Sequence, residues 1–284
     1  MLKRTIDYKN KLYFIDGYEN RISFLKDKYK DKACFIIAPG PSSCDPQLES
    51  LQNSLKNNLV FCVKDSYDYF QGVCDFHFFN DCNLPVHNSC IGYQYEAKNE
   101  PIIIGSSGFE ESVARQRIGD YQQWDIFCKV LDPSVYPNNN MGYVLQNEDF
   151  EKGTFDNTYW RPCGPSLVIE TVIYMALHVG VKNIFAIGVD GGTKWQKSSD
   201  QNRRGIHLDA SPKTQHELDY KNWEIEITHK GTRPLYDWLK KKNINLFLIS
   251  KVSNWHSKIP RVSVHQVNSF LKSYKGDIDG KKNK

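Results

Sequence analysis

No apolar run in this chain approaches the eighteen or so residues needed to cross a bilayer. There is no CxxC pair, and no Cys and His stand at zinc-finger spacing, so a structural zinc module is not expected. No GxGxxG fingerprint, no GK[ST] phosphate loop and no GxSxG elbow occurs. That removes the commonest dinucleotide, P-loop and hydrolase readings. Charge of one sign is also scarce, since 37 basic and 33 acidic residues leave only +4, too little to mark a nucleic-acid-binding face. The start, "MLKRTIDYKNKLYF", lacks the apolar centre of a secretory leader. A reducing, cytoplasmic setting is therefore expected, in which the eight cysteines are free thiols.

What is present is an apolar core and many aromatics, with 40% hydrophobic and 13% aromatic residues over 284 positions. Short apolar runs alternate with turns and helical spacings. "ACFIIAPG", "NLVFCVKD", "CDFHFFND", "EPIIIGSS", "NIFAIGVD" and "NINLFLIS" read as buried strands, each stopped by Gly, Pro or polar residues. Leu48, Leu51 and Leu55 lie at helical spacing, Ser166 reads as the cap of a helix ending near Gly180, and "TRPLYDWLKKK" reads as another helix. This repetition predicts a Rossmann-like α/β fold, a mostly parallel sheet with helices on both faces. Residues 1–30 read as an N-terminal extension and 31–255 as a single nucleotide-binding domain. Within it, 109–160 and 191–228 read as lids or insertions. Residues 256–284 read as a solvated basic tail, a candidate for peripheral contact with the inner face of a membrane.

Ligands of such sheets sit beyond the carboxyl ends of the strands. The opening loop "FIIAPGPSS" places Gly40, Pro41 and Ser42 there, either as an ordinary turn or as a backbone cradle for an anion. Lys64, Asn80, Asp81, Asp190 and Gly191 occupy other strand ends. Arg161, Gly164 and Ser166 bring a permanent cation, a flexible backbone and a hydroxyl to a helix start. His229 precedes the "TRPLYDWL" segment; a helix N-terminus favours a neutral imidazole, which suits a general base. The strand ends carry single carboxylates rather than pairs at metal-ligand spacing, and no metal or organic cofactor is expected.

Taken in order, "FIIAPGPS", "FHFFND", "RPCGPSLVIETVIYMALHVGVKNIFAIGVD" and "HKGTRPLYDWL" resemble the bacterial sialyltransferases of glycosyltransferase family 42. Related helix–strand units occur in flagellin-modifying transferases and in pterin pyrophosphokinases. The resemblance spans roughly residues 33–255 and implies a CMP-sugar-dependent, inverting, metal-independent glycosyltransferase. It implies that Gly40, Pro41 and Ser42 receive the nucleotide phosphate, that Asn80 contacts the donor, and that Arg161 and Ser166 lie near the sugar carboxylate. It further implies that His229 deprotonates the acceptor hydroxyl of a glycan or lipid. Pro39 stands where the family has Asn. The tyrosines that stabilise the leaving phosphate have no match in "GVDGGTKW", which leaves Lys194 or Arg203 for that part. A donor such as CMP-Kdo or CMP-pseudaminic acid, a nucleotide-dependent pyrophosphokinase, and a non-catalytic nucleotide-binding module are the competing readings.

Overall fold

A computed structural model describes residues 2–79, 100–108, 110–118, 124–130, 146–153, 155, 168–190, 215–250 and 253–282. The expected sites Asn80, Asp81, Arg161, Gly164, Ser166 and Gly191, together with Lys194 and Arg203, lie outside these residues. The chain opens with helices α1 (Leu2–Leu12) and α2 (Tyr18–Leu25), then β1 (Cys34–Ile37). After two short 3-10 turns come α3 (Gln52–Asn57), β2 (Leu59–Val63), α4 (Tyr67–Phe70), β3 (Phe76–Phe79) and β4 (Ile102–Ser107). Next are α5 (Glu111–Ile118), β5 (Ile126–Lys129), α6 (Asn147–Lys152), a π-turn at Val168–Val172, and α7 (Ile173–His178). The series closes with β6 (Asn183–Ile187), α8 (Gln215–Lys241), β7 (Asn245–Leu248) and α9 (Val264–Lys282).

Among the described residues the strands form one sheet in the order β5-β4-β3-β2-β1-β6-β7, and every pairing is parallel. The central strands β1 and β2 are apolar at each position because both of their faces are covered. Side chains alternate between those faces. Cys34, Ile36, Phe61, Phe76 and Phe78 join one core with α7, α8 and the N-terminal helices. Phe35, Ile37, Val60, Cys62 and Phe185 join a second core with α3 and α9. The described cysteines Cys34, Cys44, Cys62, Cys74 and Cys128 are free thiols. No described helix is long and apolar enough to cross a membrane.

Four segments differ from the sequence expectation. The stretch 1–30 belongs to the domain: Leu12, Leu25 and Tyr29 are buried in the core. Lys9 is buried as well, where it donates to Pro101 O at 2.8 Å and pairs with Glu100 at 2.8 Å and Asp125 at 3.1 Å. Burial pushes the Asp125 carboxyl up, and the Lys9 ammonium opposes that shift. The stretch 109–160, expected as a lid or insertion, supplies the edge strand β5 and helices α5 and α6. Residues 215–228, expected as lid, are the first half of α8. The expected solvated tail contributes α9, whose Val264, Val267 and Leu271 recur at helical spacing and are buried against the sheet. Phe270 on the same helix lies 5.8 Å from Phe185 and 5.6 Å from Phe247, ring centre to ring centre.

Candidate functional site

The strand order reverses direction between β1 and β6. The chain leaves β1 toward β2 on one side, while β6 pairs on the other. In open α/β sheets that switch point opens the ligand crevice. Here the loops after β1 and β6 lie against each other. Gly40 N donates to Gly188 O at 2.9 Å, and Gly188 N donates to Ser42 Oγ at 2.9 Å. Neither glycine tolerates a side chain. A Cβ on Gly40 would meet Gly188 O at 2.2 Å, and one on Gly188 would meet Ala38 O at 1.9 Å.

Asp190, buried at 2% exposure, fastens three loops. Its Oδ2 accepts from Ser42 N at 2.7 Å, and its Oδ1 accepts from Ser42 Oγ at 2.8 Å and Ser250 Oγ at 2.7 Å. The structure therefore brings Gly40, Pro41, Ser42 and Asp190 together. It also shows what the loop's donors do: the N–H groups of Gly40 and Ser42 are directed to Gly188 and Asp190. Three donors on one buried carboxylate fix the loop without a ligand.

Lys64 ends β2 in a left-handed conformation, φ 50°, which costs a non-glycine residue on the order of 1 kcal/mol. Its surroundings hold it there. Ser66 Oγ donates to Ile37 O at 2.6 Å and accepts from Val63 N at 2.9 Å. His77 Nε2 lies 3.0 Å from Lys64 O, and because a carbonyl only accepts, that nitrogen carries the proton. The His77 ring is fully buried and stacks on Tyr67 at 4.7 Å.

Burial drops the His77 pKa from its ordinary 6.5 to about 3, against the opposing bond to Lys64 O. The unfolded chain takes up this proton near 6.5, the folded chain only near 3. Stability from this group is therefore complete above pH 6.5 and declines as pH falls toward 3, by up to about 1.4 kcal/mol per pH unit. Urea unfolding at pH 7 and pH 5 is expected to show that decline, and His77→Phe to flatten it. Equal slopes in both proteins would refute the assignment.

His229 lies well inside the 27-residue α8, not ahead of a helix as expected. The helix-terminal position expected for this ring is therefore absent. The helix continues through this region because Ile227, Leu235, Trp238 and Leu239 share a buried stripe with Thr228 and Thr232. The ring is nonetheless positioned. Its Nδ1 donates to Asn254 O at 3.0 Å, which leaves Nε2 of the neutral ring as an acceptor. Asn254 N in turn donates to Asp190 O at 3.2 Å. The opening loop, Asp190 and His229 are thus linked through one residue that the sequence pattern did not single out.

The segment carrying Asn254 is fixed on all sides. Ser253 Oγ donates to Val189 O at 2.7 Å, and His256 N donates to Thr232 Oγ1 at 2.9 Å. The Arg261 guanidinium donates to the carbonyls of Ser253, Trp255 and Ile259 at 2.8–3.1 Å. Asn254 and His256 follow the C-terminal end of β7. The strand-end rule that points to Ser42 and Asp190 reaches them too, once the domain is extended past residue 255.

The fold and this crevice define a doubly wound α/β protein with a polar site at its switch point. No family model matches the chain, and no curated protein matches it. Among solved structures, the MAf glycosyltransferase from Magnetospirillum magneticum AMB-1 is similar at a TM-score of 0.42 and 10% sequence identity. The match covers 90% of this chain and 38% of that one, so this chain spans well under half of that protein's length. At that distance the likeness assigns no residue and no activity.

Proposed function

We propose that the protein is a glycosyltransferase that takes an acidic 2-keto sugar from a CMP-activated donor and transfers it to a glycan or lipid hydroxyl. The observation that supports this reading is the connected set Ser42–Asp190–Asn254–His229. It links an imidazole whose Nδ1 is engaged by Asn254 O, and whose Nε2 is left to act, to the β1 loop proposed to receive the nucleotide. In the proposed step the acceptor O–H gives its proton to His229 Nε2 as the acceptor oxygen bonds to the anomeric carbon. The bond from that carbon to the phosphate oxygen breaks on the opposite face, its electron pair leaves with CMP, and configuration inverts. The reading calls for no metal ion.

Because Gly40 N and Ser42 N are engaged within the protein, a phosphate at this crevice needs other charge. Lys64, held at the neighbouring strand end, and Arg161 are the residues proposed to supply it. Gly164, Ser166, Asn80, Asp81 and Gly191 complete the proposed donor site.

A thermal-shift comparison of CMP, CTP, CDP, UDP, ATP and NAD tests the class of ligand. Stabilisation by CMP and CTP alone is expected, about 3 kcal/mol at a hundredfold excess over Kd. Stabilisation by ATP with Mg²⁺ and not by cytidine nucleotides would replace this reading with phosphotransfer.

A further inference from the structure

The described face of α8 carries an imidazole and a guanidinium one turn apart, His229 and Arg233, and a second imidazole is held against them. The His256 ring centre lies 5.0 Å from that of His229. Its protonation pattern is the reverse of its neighbour's. His256 Nδ1 accepts from Lys258 N at 3.2 Å, so the proton of the neutral ring sits on Nε2. One ring thus offers a lone pair and the other an N–H. Arg233 is exposed and makes no hydrogen bond or ion pair among the described residues. On the same helix Lys230, by contrast, is paired with Glu226.

Partial desolvation lowers the His256 pKa, and the charges of His229, Arg233 and Lys258 add to that, with Asp237 opposing. Apart from the imidazoles, two cations, Arg233 and Lys258, stand here against one carboxylate, Asp237. The segment presenting His256 is already rigid through Thr232, Ser253 and Arg261, so ordering it at binding costs little.

We infer that His256 Nε2–H and the Arg233 guanidinium form an anion subsite beside His229, and that it receives an acidic group, phosphate or carboxylate, carried by the acceptor. The assignment to the acceptor rests on the transferase reading above. In an inverting displacement the base and the leaving group stand on opposite faces of the anomeric carbon. A donor whose ring centre lies 5.0 Å from that of the base, as that of His256 does, therefore faces the incoming hydroxyl and its substituents, not the departing nucleotide. The substrate class implied is an acceptor that is itself anionic close to the reacting hydroxyl.

The test uses the whole chain with 15N-labelled imidazoles, titrated with inorganic phosphate and separately with acetate at constant ionic strength. Saturable shifts of the His256 and His229 ring nitrogens by either anion are expected, with exposed His265 unaffected. Arg233→Gln should weaken the binding about tenfold, and Arg233→Lys should weaken it less. His256→Gln should abolish the His229 response with the melting temperature retained. Absence of saturation, or unchanged affinity in Arg233→Gln, overturns the subsite. Repeating the titration in saturating CMP separates the two readings. Anion binding that persists supports an acceptor subsite, and displacement by CMP overturns it. Anion saturation with no cytidine nucleotide binding at all would retain the subsite and refute the transferase.

Discussion

Replacing His229 by glutamine is expected to lower the rate of transfer by roughly 10²–10⁴-fold, the usual range for losing a positioned general base. Glutamine keeps an N–H that can donate to Asn254 O, as His229 Nδ1 does at 3.0 Å, but it cannot take the acceptor's proton. The His229 side chain is exposed, so the melting temperature should stay close to wild type. KM for the donor should change little, because the imidazole acts on the acceptor's proton and not on the nucleotide. CMP release measured at saturating donor and acceptor gives kcat, and a thermal melt on the same samples gives the fold. A variant with wild-type kcat would remove His229 from the mechanism. A fall in kcat that follows a fall in melting temperature would make it structural.

The second large effect is on stability. Gly188→Ala is expected to destabilise the protein by about 3 kcal/mol or more, through backbone strain and a core clash together. Gly188 has φ +70°, and a Cβ there would lie 1.9 Å from Ala38 O and 3.1 Å from Gly40 N. All of these neighbours are backbone atoms, so no side chain can swing aside. The crossed loops would have to separate, breaking the bonds from Gly40 N to Gly188 O and from Gly188 N to Ser42 Oγ. Gly72→Ala is the matched control, since a Cβ there meets nothing within 4 Å, and its effect should stay within about 0.5 kcal/mol. Urea unfolding of the two variants side by side decides the point; equal midpoints would refute the tight crossing.

The strands were the most legible part of the sequence. Runs such as "CFII" and "LVFCV" are apolar at every position, because a strand covered on both faces leaves no polar alternation to misread. β5 escaped notice because Asp125 and Lys129 break the surrounding apolar run "WDIFCKVL" into pieces too short for periodicity to resolve. Only the second half of α8 is legible as a helix. Threonines 228 and 232, buried at 3% and 0%, fill core positions that a hydropathy pattern counts as polar. The Lys9 pairings with Glu100 and Asp125 join residues far apart in the chain, and no local pattern announces them.

The candidate site divides in the same way. Ser42 and Asp190 were visible as strand ends, but a spacing rule does not reveal that they bond to each other. His229 stands out in the sequence for a helix start that does not exist at that position. What holds it is a carbonyl from a loop twenty-five residues further on.

The fastening of Ser42 and Ser250 to one carboxylate also bears on how the protein is made. Residues from the loops after β1 and β7 meet on Asp190, and His229 is anchored by Asn254, four positions beyond Ser250. A nascent chain that has exposed β1 through β6 has most of its sheet and the Ser42–Asp190 contact, but neither Ser250, Asn254 nor His229. The crevice can be completed only once β7 and the residues after it have left the ribosome, so the synthesised fragment holds a core long before it has a whole site.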